Sequence, residues 1–357
     1  MRMDTLAAMS AKAPLILSYT GIAPKFAGPL AHAGAGSAVL GRVTLGERAW
    51  LGALSVIRAD GHFVTAGDDL HLGPRSTLHI NHEIFPCILG DRVTIGENAC
   101  VHACTVGSDV VVGDGGVILD GAVVGDNVAF EPRATVFPNK QIAGGFLYAG
   151  SPAQPVRELG PGEVAERRAQ IIARSCKASA ESRRTLAPGS DVHPSVFIAG
   201  TATVKGRLIA AESSSIWYSN DFDAGDAAIS IGARTDIQDN TVIRCTTGQG
   251  VTLGRDSAVG HNVTIHDCVI GDETLIGIGS FVAPGTVIGD RVLLAAAAKT
   301  TPGQVLESGW MYGGSPARKM TAMDDSRLAM TRLIVGLYCE YAKTFKALER
   351  ELVGASA

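Results

Sequence analysis

The 357-residue chain has few aromatic side chains and no strong charge of either sign. Only 5% of its residues are Phe, Trp or Tyr although 46% are hydrophobic, and the formal net charge is −4 at pH 7. So small a charge gives no electrostatic basis for binding nucleic acid or an anionic membrane. Few aromatics combined with 43 glycines are typical of short strands and tight turns rather than of a helical bundle.

Long apolar runs and a disulfide framework are missing as well. No apolar run approaches the roughly 18 residues of a membrane-spanning helix. The seven cysteines are odd in number and follow no framework spacing, which is typical of a reducing compartment. The N-terminal stretch MRMDTLAAMSAKAPLILSY lacks a sustained apolar core and a clear cleavage site, so secretion is not expected. These features predict a soluble cytoplasmic protein.

An aliphatic residue at every sixth position is the most informative pattern that is present. Turn-forming Gly, Asp or Asn follows most of them, as in VGDGGV and VGDNVA, and one step in each half has five residues. A strand of two or three residues, one buried aliphatic side chain and a turn, repeated, predicts an all-β solenoid of stacked coils. The repeating positions are Leu89, Ile95, Val101, Val106, Val112, Ile118, Val124, Phe130 and Val136, then Leu253, Val259, Ile265, Ile270, Ile276, Val282, Ile288 and Leu294.

The two halves of the chain align with each other over most of their length. Val39 matches Val204 at an offset of 165, whereas His102 matches His266 at an offset of 164. The closing segments YAGSPA and YGGSPA keep the second offset. A one-residue deletion in the loop near residues 80–88 explains the change. The duplication predicts two tandem domains, residues 1–185 and 186–357.

Each half closes with a segment of helical character. The first, GEVAERRAQIIARSCKASAESRR, is polar and precedes the linker LAPGSD, and the second is DDSRLAMTRLIVGLYCEYAKTFKALEREL. Asp324 and Asp325 are favourably placed at the start of the second helix. An apolar stripe that packs on a face of the solenoid is expected from four residues of this helix. They are Leu328, Leu333, Leu337 and Tyr341.

Four motifs resemble the gamma-class carbonic anhydrase family when they are taken together with the repeat. They are VIRAD at 56–60, TDIQDN at 235–240, GHNVTIHDC at 260–268 and the closing GSPA. The resemblance implies that each domain is a left-handed parallel β-helix. It also implies a trimer with a metal site between neighbouring prisms, in which one prism provides the first and third histidines and the other provides the middle one.

The family histidines fall on complementary positions of the two halves. The first is His79 in the first half but Arg244 in the second, and a guanidinium stays protonated and cannot bind a metal. The middle one is Glu97 in the first half and His261 in the second. The third is present in both halves, as His102 and His266. Neither half is complete by itself.

The resemblance assigns further roles around the metal. Arg58 and Asp60 occupy the arginine-x-aspartate positions and are expected to brace the subunit interface. Gln238 occupies the glutamine position and is expected near a bound water, and Glu83 is a candidate proton shuttle. The matched positions in the other half are Asp223, Gly225 and Gly73.

Two ligand sets remain open at this point. In a composite site, His79 and His102 meet His261 from a second domain. If like domains instead form rings, His79 and His102 meet a neighbour's Glu97, and the second ring holds His261, His266 and Arg244. Zn²⁺ suits both sets, whereas a two-histidine, one-carboxylate set is also typical of Fe²⁺, and Co²⁺ is a third candidate. Both arrangements use His79 and His102.

The resemblance implies a metal-dependent hydratase or hydrolase. A metal-activated hydroxide would attack CO₂ or a small carbonyl compound. An acyl-CoA-dependent acyltransferase or thioesterase is an alternative, because related prisms use an interface histidine on acyl-CoA. A non-catalytic scaffold or assembly protein with degenerate sites is another. The expected partners are a small-molecule substrate and two further copies of the chain, which gives a homotrimer of six β-helix domains without nucleic acid or membrane.

Overall fold

The computed structural model describes residues 14–175 and 184–355, which divide into two compact units with their boundary between residues 181 and 182. We call residues 14–175 the first unit and residues 184–355 the second unit. Most of the N-terminal stretch discussed above, and the end of the first predicted helical segment, lie outside the described residues.

The first unit is a parallel β-solenoid of short strands. Most strands have two or three residues, because a turn follows each inward-facing aliphatic side chain after only a few positions. The strands are β1 (Leu15–Leu17), β2 (Lys25–Phe26), β3 (His32–Ala33), β4 (Ala38–Leu45), β5 (Trp50–Leu51), β6 (Val56–Ala66), β7 (His71–Leu72), β8 (Thr77–His79), β9 (Cys87–Leu89), β10 (Thr94–Ile95), β11 (Cys100–His102), β12 (Thr105–Val106), β13 (Val110–Val112), β14 (Val117–Ile118), β15 (Val123–Val124), β16 (Val128–Phe130), β17 (Thr135–Val136), β18 (Gln141–Ile142), β19 (Phe146–Ala149) and β20 (Gln154–Glu158).

Each strand pairs with the strand one coil away, in parallel except for the final pair β19–β20. One sheet has the order β17-β14-β11-β8-β6-β9-β12-β15-β18, with β1, β2 and β4 attached, and the other has the order β20-β19-β16-β13-β10-β7-β5-β3. The start of β6 pairs with β8 and its end pairs with β9, so this long strand turns a corner of the coil. The coil therefore has three faces. We call the face of β8, β11, β14 and β17 the histidine face.

The second unit repeats this architecture. Its two sheets have the orders β34-β31-β28-β26-β29-β32-β35-β37, with β21, β22 and β24 attached, and β23-β25-β27-β30-β33-β36-β38-β39. The strands are β21 (Arg184–Leu186), β22 (Asp191–Val192), β23 (Phe197–Ile198), β24 (Thr203–Ala210), β25 (Ser215–Ile216), β26 (Asp221–Ile231), β27 (Asp236–Ile237), β28 (Val242–Arg244), β29 (Val251–Leu253), β30 (Ala258–Val259), β31 (Thr264–His266), β32 (Cys268–Ile270), β33 (Leu275–Ile276), β34 (Phe281–Val282), β35 (Val287–Ile288), β36 (Leu293–Leu294), β37 (Val305–Leu306), β38 (Trp310–Gly313) and β39 (Arg318–Ala322).

The core of each unit is the column of aliphatic side chains inside the coil. Every residue of the predicted six-residue repeat is buried in one of two clusters, one per unit. Burial of apolar surface at about 25 cal/mol per Å² stabilises each coil against the next. The predicted fold class, two tandem left-handed β-helices with a helix after each, is confirmed.

Two helices follow the coils, α1 (Glu163–Ser175) and α2 (Asp325–Ala355). Val164 and Ile171 of α1 pack against the outer face of the first coil. The carboxylate of Asp324 accepts the backbone N–H of Arg327 at 2.9 Å, which confirms the predicted helix start. None of the helices among the described residues is long and apolar enough to span a membrane.

The predicted stripe of α2 was wrong at Leu333, which is 59% exposed. A helix repeats every 3.6 residues, and the face that packs on the coil begins at a different position. Its members Val335 and Cys339 cluster with Ala258 of the coil. The buried residues of this face are Thr331, Val335, Tyr338, Cys339, Tyr341, Ala342, Phe345 and Glu349.

Candidate metal centre

His79 and His102 lie side by side on the histidine face of the first unit. They are the last residues of β8 and β11, and they are paired in register across the two strands. Leu78 and Val101 point into the core, so the alternation of a strand directs both imidazoles outward. Nδ1 of His79 is 3.2 Å from Nε2 of His102. Two nitrogens bound to a tetrahedral zinc at about 2.0–2.1 Å are roughly 3.3 Å apart, so this pair fits one metal ion.

A carboxylate lies behind each of these two imidazoles. Nε2 of His79 is 3.2 Å from Oδ1 of Asp60, and Nδ1 of His102 is 2.5 Å from Oδ1 of Asp120. Asp60 also pairs with the guanidinium of Arg58, and both side chains are fully buried. Metal-binding histidines usually donate their second N–H to such an acceptor, which holds the ring and its tautomer. The first unit thus presents two nitrogens that are oriented for one ion.

The sequence interpretation missed Asp120 and its neighbour Asn81. The amide of Asn81 donates to Oδ2 of Asp120 at 2.7 Å. Burial by itself would raise the pKa of Asp120, but the charge of His102 and the hydrogen bonds from His102 and Asn81 outweigh it and lower the pKa. The spacing could have indicated Asp120, because it follows His102 by 18 residues, about one coil of the solenoid.

Glu97 and His261 occupy matched corners of the two units but differ in environment. Asn98 and Asn262, the residues after them, have left-handed φ angles of 53° and 55°, which asparagine tolerates. Glu97 is exposed, and its backbone N–H donates to Asp114. His261 is buried.

Both ring nitrogens of His261 face polar groups of the second unit. Its Nδ1 lies 3.2 Å from Oδ2 of Asp239, and its Nε2 lies 3.5 Å from the hydroxyl of Tyr338 in α2. Neither Asp239 nor Tyr338 was identified from the sequence. Asp239 is part of the quoted motif TDIQDN, and its position 22 residues before His261 was a readable signal.

Arg244 and His266 take the register positions of His79 and His102 in the second unit. The guanidinium of Arg244 donates to the carboxylate of Asp221 at 2.5 Å and to the carbonyl of Asp221 at 2.6 Å. The ring centroids of His266 and Phe281 are 5.4 Å apart. Burial lowers the pKa of His266, and the neighbouring Arg244 lowers it further against the opposing effect of Asp267. This pair offers one imidazole and a cation instead of two imidazoles.

Gln238 and Glu83 lie in contrasting surroundings. Gln238 is buried, and its amide donates to Oδ1 of Asp236 at 3.0 Å. Glu83 is in the loop after His79, with its side chain 79% exposed and 3.9 Å from Nε2 of His82. Gln238 is thus fixed by a hydrogen bond, whereas the Glu83 carboxylate is open to solvent.

Known proteins resemble the chain in sequence. Gamma carbonic anhydrase 1, mitochondrial, of Arabidopsis thaliana is 29% identical over 174 residues, 46% of this chain and 63% of that protein. Protein YrdA of Escherichia coli K12 is 37% identical over 135 residues, 36% of this chain and 73% of that protein. The chain belongs to the gamma-carbonic-anhydrase-like family. The chain spans 63% of gamma carbonic anhydrase 1 and 51% of gamma carbonic anhydrase 2, both from Arabidopsis.

A solved structure shares the fold over most of the chain. It comes from Desulfovibrio desulfuricans G20 and is named as a candidate acetyltransferase. It has 14% sequence identity and a TM-score of 0.56, and it covers 96% of this chain and 84% of its own. At this identity the likeness shows the fold alone. No family model matches the chain.

The gamma-carbonic-anhydrase-like positions have diverged together with their supporting carboxylates. His79 and His102 keep Asp60 and Asp120, whereas the positions aligned with these two aspartates in the second unit are Gly225 and Pro284. A side chain cannot be restored easily at Gly225, since its φ is +53° and a Cβ would lie 2.7 Å from a backbone oxygen.

The middle position shows the converse pattern. His261 keeps Asp239 in the second unit, whereas the first unit has Glu97 and, at the position of the carboxylate, Pro74. Each of the three histidine positions thus has its carboxylate in one unit and lacks it in the other.

Proposed function

We propose that the protein is a metal-dependent hydratase or hydrolase of the gamma-carbonic-anhydrase type. The observation that carries this proposal is the His79 and His102 pair, whose facing nitrogens are 3.2 Å apart. Asp60 and Asp120 lie behind the outer nitrogens of the two rings. Two histidines with this support are typical of a metal centre. The similarity to gamma carbonic anhydrases agrees with this chemistry.

For the third ligand we propose His261 in preference to Glu97. The environment of His261 supports this choice, because Oδ2 of Asp239 lies 3.2 Å from its Nδ1. Glu97 is exposed, and Pro74 stands where the supporting carboxylate would be. Three neutral imidazoles leave one coordination position open, which is typical of catalytic Zn²⁺, and Fe²⁺ or Co²⁺ are alternatives. His266 is not a ligand in this proposal, since Arg244 is paired with it in register.

The residues around the pair have separable roles. Arg58 and Asp60 hold the His79 ring, and Asp120 holds the His102 ring, so neither has to reorganise when the metal binds. When bound, the ion would supply a Lewis acid that lowers the pKa of a bound water to about 7. Gln238 would orient that water by its amide, and Glu83, exposed in its loop, would pass the released proton to solvent. The substrate class is CO₂ or a small carbonyl compound.

We also propose that the chain acts as a homotrimer with six β-helix units and no nucleic-acid or membrane partner. A closed ring of three is a common symmetric assembly, and the family resemblance supports it. The proposed domain boundary stays at residues 1–185 and 186–357, with a cytoplasmic location. Sedimentation equilibrium measures the mass of the assembly, and a monomer or dimer would contradict the trimer.

The experiment that tests the function is metal content per chain in anaerobically purified wild type, Glu97→Ala and His261→Ala. About one ion per chain that is lost only in His261→Ala supports the three-histidine set. Loss only in Glu97→Ala would replace it with the two-histidine, one-glutamate set. The metal-loaded protein is then assayed for CO₂ hydration and for acyl-CoA turnover, which separates a hydratase from an acyltransferase or thioesterase. Absence of metal in all three proteins would contradict the enzyme and favour the scaffold.

A further inference from the structure

We propose that Asn81 is a positioning residue that orients His102 for metal binding, and that it acts through Asp120. This inference rests on the proposed metal centre but concerns residues that neither the sequence motifs nor the comparisons assign. The contacts run in one line. The Asn81 amide donates to Oδ2 of Asp120 at 2.7 Å, and Oδ1 of Asp120 is 2.5 Å from Nδ1 of His102.

The backbone of Asn81 is itself held in place. Its N–H donates to the carbonyl of Phe85 at 3.0 Å, and the N–H of Phe85 donates back to its carbonyl at 3.2 Å. These two bonds close the loop that follows His79. The side-chain amide therefore starts from a fixed point, which a flexible loop residue would not provide.

Asp120 needs this second contact because its carboxylate is not fully enclosed. Its side chain is 29% exposed, whereas that of His102 is 11% exposed. With only one oxygen bonded, the carboxylate is free to rotate about its last bond. The Asn81 amide occupies the other oxygen, which fixes the plane of the carboxylate and hence the ring that it bonds. Nε2 of His102 then stays directed at Nδ1 of His79.

The second unit supports the link between these contacts and the metal. It has Thr246 in place of Asn81, Pro284 in place of Asp120 and Arg244 in place of His79. There the loop is attached differently, since Thr246 donates its N–H and its hydroxyl to Asp267. Where the pair of imidazoles is absent, the contacts that orient it are absent as well.

The test is a double-mutant cycle in the full-length protein, read out as Zn²⁺ affinity by competition with a chelator. Loss of an outer-shell partner lowers metal affinity by about 10–100-fold. We expect about 10-fold for Asn81→Ala and at least as much for Asp120→Ala. Because Asn81 acts through Asp120, Asn81→Ala should cause no further loss in the Asp120→Ala background. The loop variant Ile84→Ala, at a residue that is 59% exposed, should leave the affinity unchanged.

Three affinity results would overturn the inference. They are an unchanged affinity in Asn81→Ala, additive losses in the double variant, or a loss in Ile84→Ala as large as that in Asn81→Ala. A lowered melting temperature of metal-free Asn81→Ala that accounts for the loss would also contradict it. If wild type itself binds no Zn²⁺, the proposed function fails first, and this outcome is distinct from a wild type that binds and an Asn81→Ala variant that binds equally well.

Discussion

The two units have the same coil architecture but differ at almost every candidate metal-binding position. His79 and His102 of the first unit are replaced in register by Arg244 and His266 of the second. The aliphatic residues one step before them, Leu78 and Val101 against Ile243 and Ile265, are buried in both cores. Inward positions of a solenoid are constrained by packing against the coils above and below, whereas outward ones are not. A duplicated solenoid can therefore keep its fold while its two surfaces diverge.

The loops after the first family position show the same contrast. In the first unit Asn81 connects the loop to Asp120, and so to His102. In the second unit Asp267 accepts the N–H groups of Thr246, Thr247 and Gly250. One loop is attached to a candidate ligand, while the other is attached to a carboxylate that binds only backbone and hydroxyl groups. The loop of the first unit thus contacts the carboxylate behind a candidate ligand, whereas the matching loop of the second unit contacts Asp267.

The strongest test of the comparison removes the matched histidine from each unit. His79→Ala should lower Zn²⁺ affinity by more than about 100-fold, since loss of an outer-shell partner alone costs 10–100-fold. His266→Ala should leave the affinity of the first-unit pair intact, because His266 is paired with Arg244. Metal content and competition titration measure both. Equal losses in the two variants would mean that the units are not functionally different.

Core and surface substitutions in the second unit should differ in their effect on stability. Ile265→Ala removes a buried side chain and should lower the free energy of unfolding by about 2–5 kcal/mol. His266→Ala, one residue away and facing outward, should change it by less than about 1 kcal/mol. Urea unfolding followed by circular dichroism measures both. A larger cost for the outward residue would contradict the separation of core and surface roles.

Glu349 of α2 should make the stability of the second unit depend on pH. It is buried, and burial raises its pKa from 4.5 to about 7 against the opposing effects of the Gly200 N–H, Arg184 and Tyr218. A raised pKa means that this group's contribution to stability is present below pH 4.5 and is lost as the pH rises through 7. Glu349→Gln should therefore stabilise the second unit by up to about 3 kcal/mol at pH 8 and hardly at pH 4. Melting curves at both pH values would show this, and equal shifts at both would contradict it.

The smallest effect is expected on the exposed side of α2. Leu333→Ala should change stability by less than about 0.5 kcal/mol, since Leu333 is 59% exposed. Val335→Ala, two residues on, removes two methyl groups from a side chain that is 1% exposed and should cost about 2 kcal/mol. Chemical denaturation compares them directly. A reversed order would mean that the helix packs by the face predicted from the sequence.

The fold was open to prediction because it depends on local repetition. An aliphatic residue every six positions needs no distant partner to be recognised, and the coil follows from stacking it on itself. The duplication was equally open to prediction, since it requires only that the two halves of the sequence be aligned with each other. The helix stripe was not, because Leu333 and Val335 are equally apolar and only the coil beneath them decides which is buried.

The sequence by itself thus determined the solenoid, its duplication and which positions correspond between the two halves. It also left His79, His102, Glu97, His261 and His266 as predicted ligands whose set is still to be measured. Only the tertiary structure decided which polar groups stand behind them. Asp60, Asp120 and Asp239 lie 18 to 22 residues from their histidines, and stacking of one coil on the next brings each within hydrogen-bond distance. That distance depends on three-dimensional register, because side chains one coil apart are neighbours only after the chain has closed a turn.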